Sequence, residues 1–348
     1  MFAAALCCLA ALPLEASAAR PARKATPARK SAPAKVTRTA ARKATPAKAA
    51  SATSTSSTAR RRAIARSRAA ALARENRDLA TPRFKLDDAG REVPAPRAAA
   101  AIIYDPETNE VLFEEHGLDV RSLASITKVM TSLVALESFT DPSLVVKVTR
   151  PDVTAASTTH LRNGYDVSID ELMHLLLIGS DNAAARVLAR TSPAGSAGFV
   201  ARMNEKAREL GLTQTHFEDP SGLLAGNVSS AFDIARLISY AAADERIGSI
   251  MRMAEYNFVP GKRNVHVNST NRLVRQGELD VLGGKTGFIS SSGYCLATLI
   301  RLPQSGRQVA MVVLGARSNA ARFAETRHLF NWLNASTAAT ATETLQQQ

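Results

Sequence analysis

Strand-like segments stand at the two ends of the apolar-rich part of this chain, and helical periodicity fills the stretch between them. Ala99–Tyr104 and Glu110–Glu114 flank a turn at 105–109 and read as a β-hairpin. Tyr294–Arg301 and Gln308–Leu314 flank Pro303-Gln304-Ser305-Gly306 and read as a second. From about 140 to 275 the apolar spacing is helical, as in Ile169–Leu177, Asn182–Ala189, Gly198–Leu210 and Phe232–Ala243. A last amphipathic helix is predicted over Ala320–Leu333. Terminal strands can pair only by closing over what lies between them. The expectation is therefore one α/β (α+β) unit, an antiparallel sheet of N- and C-terminal strands carrying an inserted helical lobe. Clefts between such lobes commonly hold active sites.

The chemistry-bearing residues fall in three separate places. Ser125 stands three residues before Lys128, and the apolar run Val129, Met130, Leu133, Val134 follows. In a helix, i and i+3 share a face. A serine hydroxyl is a weak nucleophile until a base takes its proton, and a lysine amine in a dry cleft can be that base. Taken alone, a capping serine with an exposed lysine fits the same four residues. Ser180-Asp181-Asn182 follows an apolar helix and opens another. Its hydroxyl can relay a proton and its amide can hold a carbonyl, although all three residues are also good N-caps. A second S-x-N, Ser269-Thr270-Asn271, lacks the helix-opening context and ranks below it. Lys285-Thr286-Gly287 follows Val281-Leu282-Gly283-Gly284. As the tail of a phosphate-binding loop it fails, because the earlier glycine position is Leu279 and a strand, not a helix, follows. On an edge strand, Lys285 and Thr286 can bind a carboxylate, and Gly287 lets an acyl chain approach the backbone.

Ser180 and Lys285 lie 55 and 160 residues beyond Ser125. The ordered triple S-x-x-K, S-x-N, K-T-G is the motif set of penicillin-binding proteins and class A β-lactamases. With it, the blocks NGYDVSIDELMHLLLIGSDNAA, MNEKARELGL, FEDPSGL, NSTNRL and GGKTGFISSSGYCL make the stretch from about 96 to 335 resemble the serine D-Ala-D-Ala peptidases, the low-molecular-mass penicillin-binding proteins. The subgroup it is most similar to is the D-alanyl-D-alanine endopeptidases of the penicillin-binding protein 7 type. The resemblance implies a DD-peptidase/β-lactamase-like fold. It implies Ser125 as nucleophile, Lys128 as its base and Ser180 as proton shuttle. Asn182, Lys285, Thr286 and Gly287 would bind substrate, the backbone N–H groups of Ser125 and Phe288 would form an oxyanion hole, and Arg322 would lie near the substrate carboxylate. Peptidoglycan peptides and covalently bound β-lactams are the implied partners. The E-x-x-L-N loop that supplies a deacylating Glu in lactamases is absent; the corresponding region reads Phe217-Glu218-Asp219-Pro220-Ser221-Gly222-Leu223. A peptidase is favoured over a lactamase on that ground. Carboxypeptidase action on pentapeptide stems is the alternative that the motifs leave open.

The net charge of +13 belongs to a tail. Residues 19–74 hold 16 Lys/Arg and no acid, which leaves −3 for the rest. The low-complexity segment, with ARKATPA at 22–28 and again at 41–47, has too little apolar surface to offset its chain entropy. The expected division is 1–18 signal peptide, 19–90 basic disordered tail with a basic helix conceivable over 60–77, 91–335 catalytic domain and 336–348 a second tail. The apolar run Phe2–Leu14 before Ala16-Ser17-Ala18 supports export to the periplasm, although it lacks the usual positive start and the true beginning could lie upstream. The basic tail suits an anionic wall or membrane polymer, or serves as a plain spacer. A polyanion- or nucleic-acid-binding protein is the lowest-ranked reading, since the charge lies outside the fold, and no nucleic-acid partner is expected. No Cys/His cluster has metal-ligand spacing, so no metal or cofactor is expected. Cys295, the one cysteine in the foldable part, reads as a buried strand residue.

Overall fold

The computed structural model describes residues 52–261 and 263–346. The expected signal peptide and the repeat-bearing stretch lie outside the described residues. The chain divides into two units, residues 1–61 and 62–348. Of the first, residues 52–61 are described and helical; the sheet, the helical lobe and the site below belong to the second.

Five strands form the central antiparallel sheet: β1 (Ala100–Asp105), β2 (Glu110–Glu115), β3 (Asp280–Ile289), β4 (Gly293–Arg301) and β5 (Gln308–Ala316). Their order is β3-β4-β5-β1-β2. The two predicted hairpins are thus joined by β5 pairing with β1, with Met311 opposite Ile103. Alternation along the strands supplies two cores at once. Ala100, Ile102, Tyr104, Ala310, Val312 and Leu314 face the helical lobe. Ala101, Ile103, Val309, Met311 and Val313 face the other layer, with Phe323, Leu329 and Phe330 from the last helix. Both faces are covered, which is why β1 and β5 read as near-continuous apolar runs.

The helical lobe comprises α2 (Lys128–Ser138), α3 (Ile169–Leu177), α4 (Asn182–Thr191), α5 (Gly195–Glu209), α6 (Ala231–Ala243) and α7 (Glu245–Met251). Local signals set their starts. Ser168 Oγ accepts the Glu171 N–H while the Glu171 carboxylate takes the Ser168 N–H, closing a capping box on α3. Ser230 caps α6 through the Asp233 N–H. Leu172, Met173, Leu175 and Leu176 of α3 join Val129, Met130 and Leu133 of α2 in one core.

Two boundaries differ from expectation. Helix α1 spans Ala52–Ala80, and a small hairpin, Phe84–Leu86 with Glu92–Pro94, precedes the start expected near Arg91–Ala98. Leu79 and Val93 pack against the second core, and Trp332 Nε1 donates to the Glu92 carbonyl. That anchoring draws the hairpin onto the fold. At the other end, α8 runs from Asn319 to Gln346, past the limit expected near Leu333. The added stretch is rich in alanine, the residue that least resists a helix. No described helix is long and apolar enough to cross a membrane.

Candidate active site

Ser125 does not lie in α2 itself. It occupies a 3₁₀ turn, Ala124–Thr127, that feeds into the helix at Lys128. A 3₁₀ turn has three residues per turn, so i and i+3 eclipse more closely than in an α-helix. Lys128 Nζ is 2.9 Å from Ser125 Oγ. Ala124 enters the turn at φ 50, in the left-handed region. Ser125 is partly exposed, whereas Lys128 is fully buried.

Burial pushes the Lys128 amine from its ordinary range down to about 7; Asp181 and Asp219 partly restore it, and Arg186 adds to the lowering. Its other two contacts decide the geometry. Nζ is 2.6 Å from Asn182 Oδ1 and 2.6 Å from the Ser221 carbonyl. Asn182 Nδ2 donates to the Ala156 carbonyl at 2.7 Å, which fixes the amide with its oxygen toward Lys128. Both neighbours therefore only accept. A neutral amine has two N–H groups and one lone pair. The two acceptors take the N–H groups, and the lone pair is left facing the Ser125 hydroxyl.

The second motif sits at the junction between α3 and α4. Ser180 has φ 57, so the chain reverses sharply there. The residue after it, Asp181, is fully buried and caps α4 through the Ala184 N–H at 3.0 Å. It also accepts the His160 N–H at 2.5 Å. That cap tolerates the left-handed serine and sends Ser180 and Asn182 to two different lysines. Ser180 Oγ accepts from Lys285 Nζ at 2.8 Å. Lys285 is buried, and burial, with Lys128 and Arg322 adding like charge, holds its pKa well below the lysine range.

Lys285, Thr286 and Gly287 lie on β3, the edge strand. A Cβ on Gly287 would fall 2.6 Å from the Leu123 carbonyl and 3.2 Å from the Ser125 nitrogen. Only glycine lets this strand pass so close to the 3₁₀ turn. Phe288, one residue on, is about half exposed and stacks on Tyr294 with centroids 4.2 Å apart.

All three motifs thus converge. Ser125, Lys128 and Asn182 form one hydrogen-bonded chain, and Ser180, two residues before Asn182 in the sequence, bonds Lys285 in another. Arg322, expected near the substrate carboxylate, is held by backbone carbonyls of β3 and β4. Its Nη1 donates to the carbonyls of Gly287 and Cys295, both at 3.0 Å, and Nη2 to Asn319 Oδ1 at 2.6 Å. It is 6% exposed and braces β3 at the Gly287 carbonyl. Cys295 is a buried free thiol on β4, as expected.

Two contributors escaped the sequence reading. Thr270, from the S-x-N set aside, bonds Thr286 side chain to side chain at 2.7 Å, and its N–H donates to the Ile178 carbonyl at 3.1 Å. The repeated pattern was the signal that could have found it. The Ser221 carbonyl, in the block FEDPSGL, has no side-chain signature. Gly222 there has φ 81, and a Cβ would fall 1.9 Å from the Ala124 carbonyl.

Comparison with known proteins agrees in extent with this arrangement. The peptidase S11 family, described as D-alanyl-D-alanine carboxypeptidase, matches residues 88–318. A D-alanyl-D-alanine endopeptidase of Haemophilus influenzae is 33% identical over 233 residues, 66% of this chain and 80% of that protein. A D-alanyl-D-alanine carboxypeptidase of Bacillus subtilis is 29% identical over 68% of this chain and 62% of its own length. The crystal structure of the Streptomyces K15 DD-transpeptidase superposes with a TM-score of 0.65 at 25% identity, covering 69% of this chain and 97% of that one.

Proposed function

Because this chain belongs to the D-alanyl-D-alanine carboxypeptidase family of serine peptidases, we propose that it hydrolyses D-Ala-containing peptide bonds of peptidoglycan, as a D-alanyl-D-alanine endopeptidase acting through an acyl-enzyme on Ser125. The observation that carries the reading is Lys128 Nζ set 2.9 Å from Ser125 Oγ and 2.6 Å from each of two obligate acceptors, which in the neutral amine leaves the lone pair for Ser125. Lys128 takes the Ser125 proton as Oγ attacks the D-Ala carbonyl carbon. The backbone N–H groups of Ser125 and Phe288 receive the oxyanion. The leaving amine gains the proton that Lys128 took, passed on through Ser180, whose hydroxyl is held by Lys285, and Lys128 is neutral again. The peptide C–N bond breaks and an ester remains on Ser125. Water then attacks the ester, with Lys128 again accepting a proton, and Ser125 is regenerated. Asn182 orients Lys128 and the substrate amide, and Lys285 with Thr286 attracts a carboxylate. Arg322 keeps Gly287 and Phe288 in register for the oxyanion.

The endopeptidase reading is favoured over carboxypeptidase action by the higher identity to the endopeptidase relative, 33% against 29%. The test is product analysis on purified muropeptide dimers and pentapeptide monomers. Conversion of dimers to monomers by wild type and not by Ser125→Ala supports cross-link cleavage. Release of D-Ala from monomers alone supports the carboxypeptidase.

The same site should bind β-lactams covalently. With no E-x-x-L-N glutamate to deacylate it, the adduct should persist. The apolar run near the start of the sequence supports a periplasmic location. The arginines at 60–62, 66, 68, 74 and 77 are exposed. No ion pair engages them among the described residues. That leaves them open to an anionic wall or membrane polymer, whose binding would weaken with salt.

A further inference from the structure

The acceptor that sets Lys128 against Ser125 is a backbone carbonyl in a loop, and the loop is tied in place by side chains with no part in the chemistry so far described. Asp219 Oδ2 accepts both the N–H of Ser221, at 2.9 Å, and its hydroxyl. Asp219 Oδ1 accepts the Leu224 N–H at 3.1 Å, closing the turn. Asn227 then locks Asp219 to the nucleophile's own turn. Its Nδ2 lies 3.0 Å from Asp219 Oδ1, 2.9 Å from the Asp219 carbonyl and 3.1 Å from Thr127 Oγ1. Its Oδ1 accepts the N–H groups of Glu218 and Asp219 at 2.6 and 3.1 Å. Its carbonyl accepts the Leu123 N–H at 2.9 Å. Asn227 is fully buried. One unbroken path therefore runs from the 3₁₀ turn through Asn227 and Asp219 to the Ser221 carbonyl and back to Lys128. Thr131, one turn along α2, adds a second tie by donating to the Pro220 carbonyl at 2.6 Å. At Gly222 the loop touches the Ala124 carbonyl, as no other residue could.

From this closed circuit we infer that Asp219 and Asn227 are positioning residues for acylation: they hold the Ser221 carbonyl where it takes one N–H of Lys128 and so leave the lone pair for Ser125. If that carbonyl swings away, the amine rotates and the lone pair loses its aim, although every catalytic side chain remains. Asp219 has a second effect through charge. Four charged groups face Lys128: Asp181 from the cap of α4, Asp219 from this loop, Arg186 from α4 and Lys285 from β3. The His160 ring, 3.3 Å from Asp181, is the further titratable neighbour. Asp219 favours the protonated amine, so its neutralisation makes Lys128 a weaker base, free of its proton at lower pH.

The inference rests on Lys128 being the base, and the experiment separates the two. The second-order rate of acylation by a fluorescent penicillin is measured from pH 5 to 9 for wild type, Lys128→Ala, Asp219→Asn and Asn227→Ala, with thermal melts for each. Asp219→Asn should acylate about tenfold more slowly at pH 8, the loss typical of a misplaced base. Its acid limb should also move to lower pH. Asn227→Ala should lose rate with the midpoint unmoved, since no charge is removed. Wild-type rate and midpoint in both loop variants, with Lys128→Ala inactive, would overturn the inference alone. Wild-type acylation by Lys128→Ala would overturn the reading beneath it. If Asp219→Asn does not fold, Ser221→Ala carries the test, because it removes one tie to Asp219 and leaves the carbonyl. About a threefold loss supports the inference, and an unchanged rate overturns it.

Discussion

The sharpest expectation concerns the pH dependence of acylation. Lys128 acts only when neutral, and burial brings its pKa down to about 7. About 1% of the amine is then neutral at pH 5, half at pH 7 and about 90% at pH 8. The second-order acylation rate should climb about tenfold per pH unit below 7, level off above it, and span about a hundredfold overall. Stopped-flow or gel-based labelling with a fluorescent penicillin reads this directly. The same shift enters stability. The unfolded lysine keeps its proton up to about 10.5, whereas the folded one releases it near 7. Between those values the unfolded state binds more protons, so stability rises with pH through that window. Below pH 7 the destabilisation is fully present. Lys128 alone should contribute a gain on the order of 2 kcal/mol between pH 7 and 9, isolated by denaturant titration of wild type against Lys128→Met. An acylation profile that is flat from pH 5 to 9, or one whose midpoint sits near 10, would refute the argument.

Three further outcomes follow from the same geometry. Gly222→Ala should lose roughly 2–5 kcal/mol of stability, from left-handed strain and from a Cβ driven into the Ala124 carbonyl; its melt and its penicillin labelling should fall together. Ser180→Ala should slow hydrolysis of peptide substrate about a hundredfold, with the melt little changed, because it removes the path by which the leaving amine is protonated. Arg322→Leu should destabilise by about 2–3 kcal/mol, since the Gly287 and Cys295 carbonyls lose their donor; thermal melts and the acylation rate check it.

Much of this was legible in the residues, and what was not has a physical reason. The hairpins and the order of the three motifs could be read because side-chain types carry them. Their meeting could be argued because strands at both ends must close over the helices. The 3₁₀ turn at Ser125 could not be read, since Ala-Ser-Ile-Thr suits an α-helix equally well and the packing of β3 against the turn decides. Thr270 was set aside for want of a helix-opening context, although Asn271 does cap a short helix, Arg272–Gln276, and Thr270 lies beside the same strand as Ser180. The Ser221 carbonyl was invisible, because a backbone atom's role depends on where the chain bends. Arg322 shows the opposite limit: the resemblance placed it near the substrate carboxylate, and its bond to the Gly287 carbonyl could not be read from the sequence. The end of α8 moved because its Ala/Thr-rich extension has no apolar period to mark it; the Ser/Thr-rich start of α1 has no such explanation.

The most direct test of the whole arrangement is intact mass after exposure to benzylpenicillin, followed by peptide mapping. One penicilloyl group on wild type, mapped to Ser125 and missing from Ser125→Ala, is the result this account requires. An adduct on any other residue, or equal labelling of the Ser125→Ala protein, would contradict it.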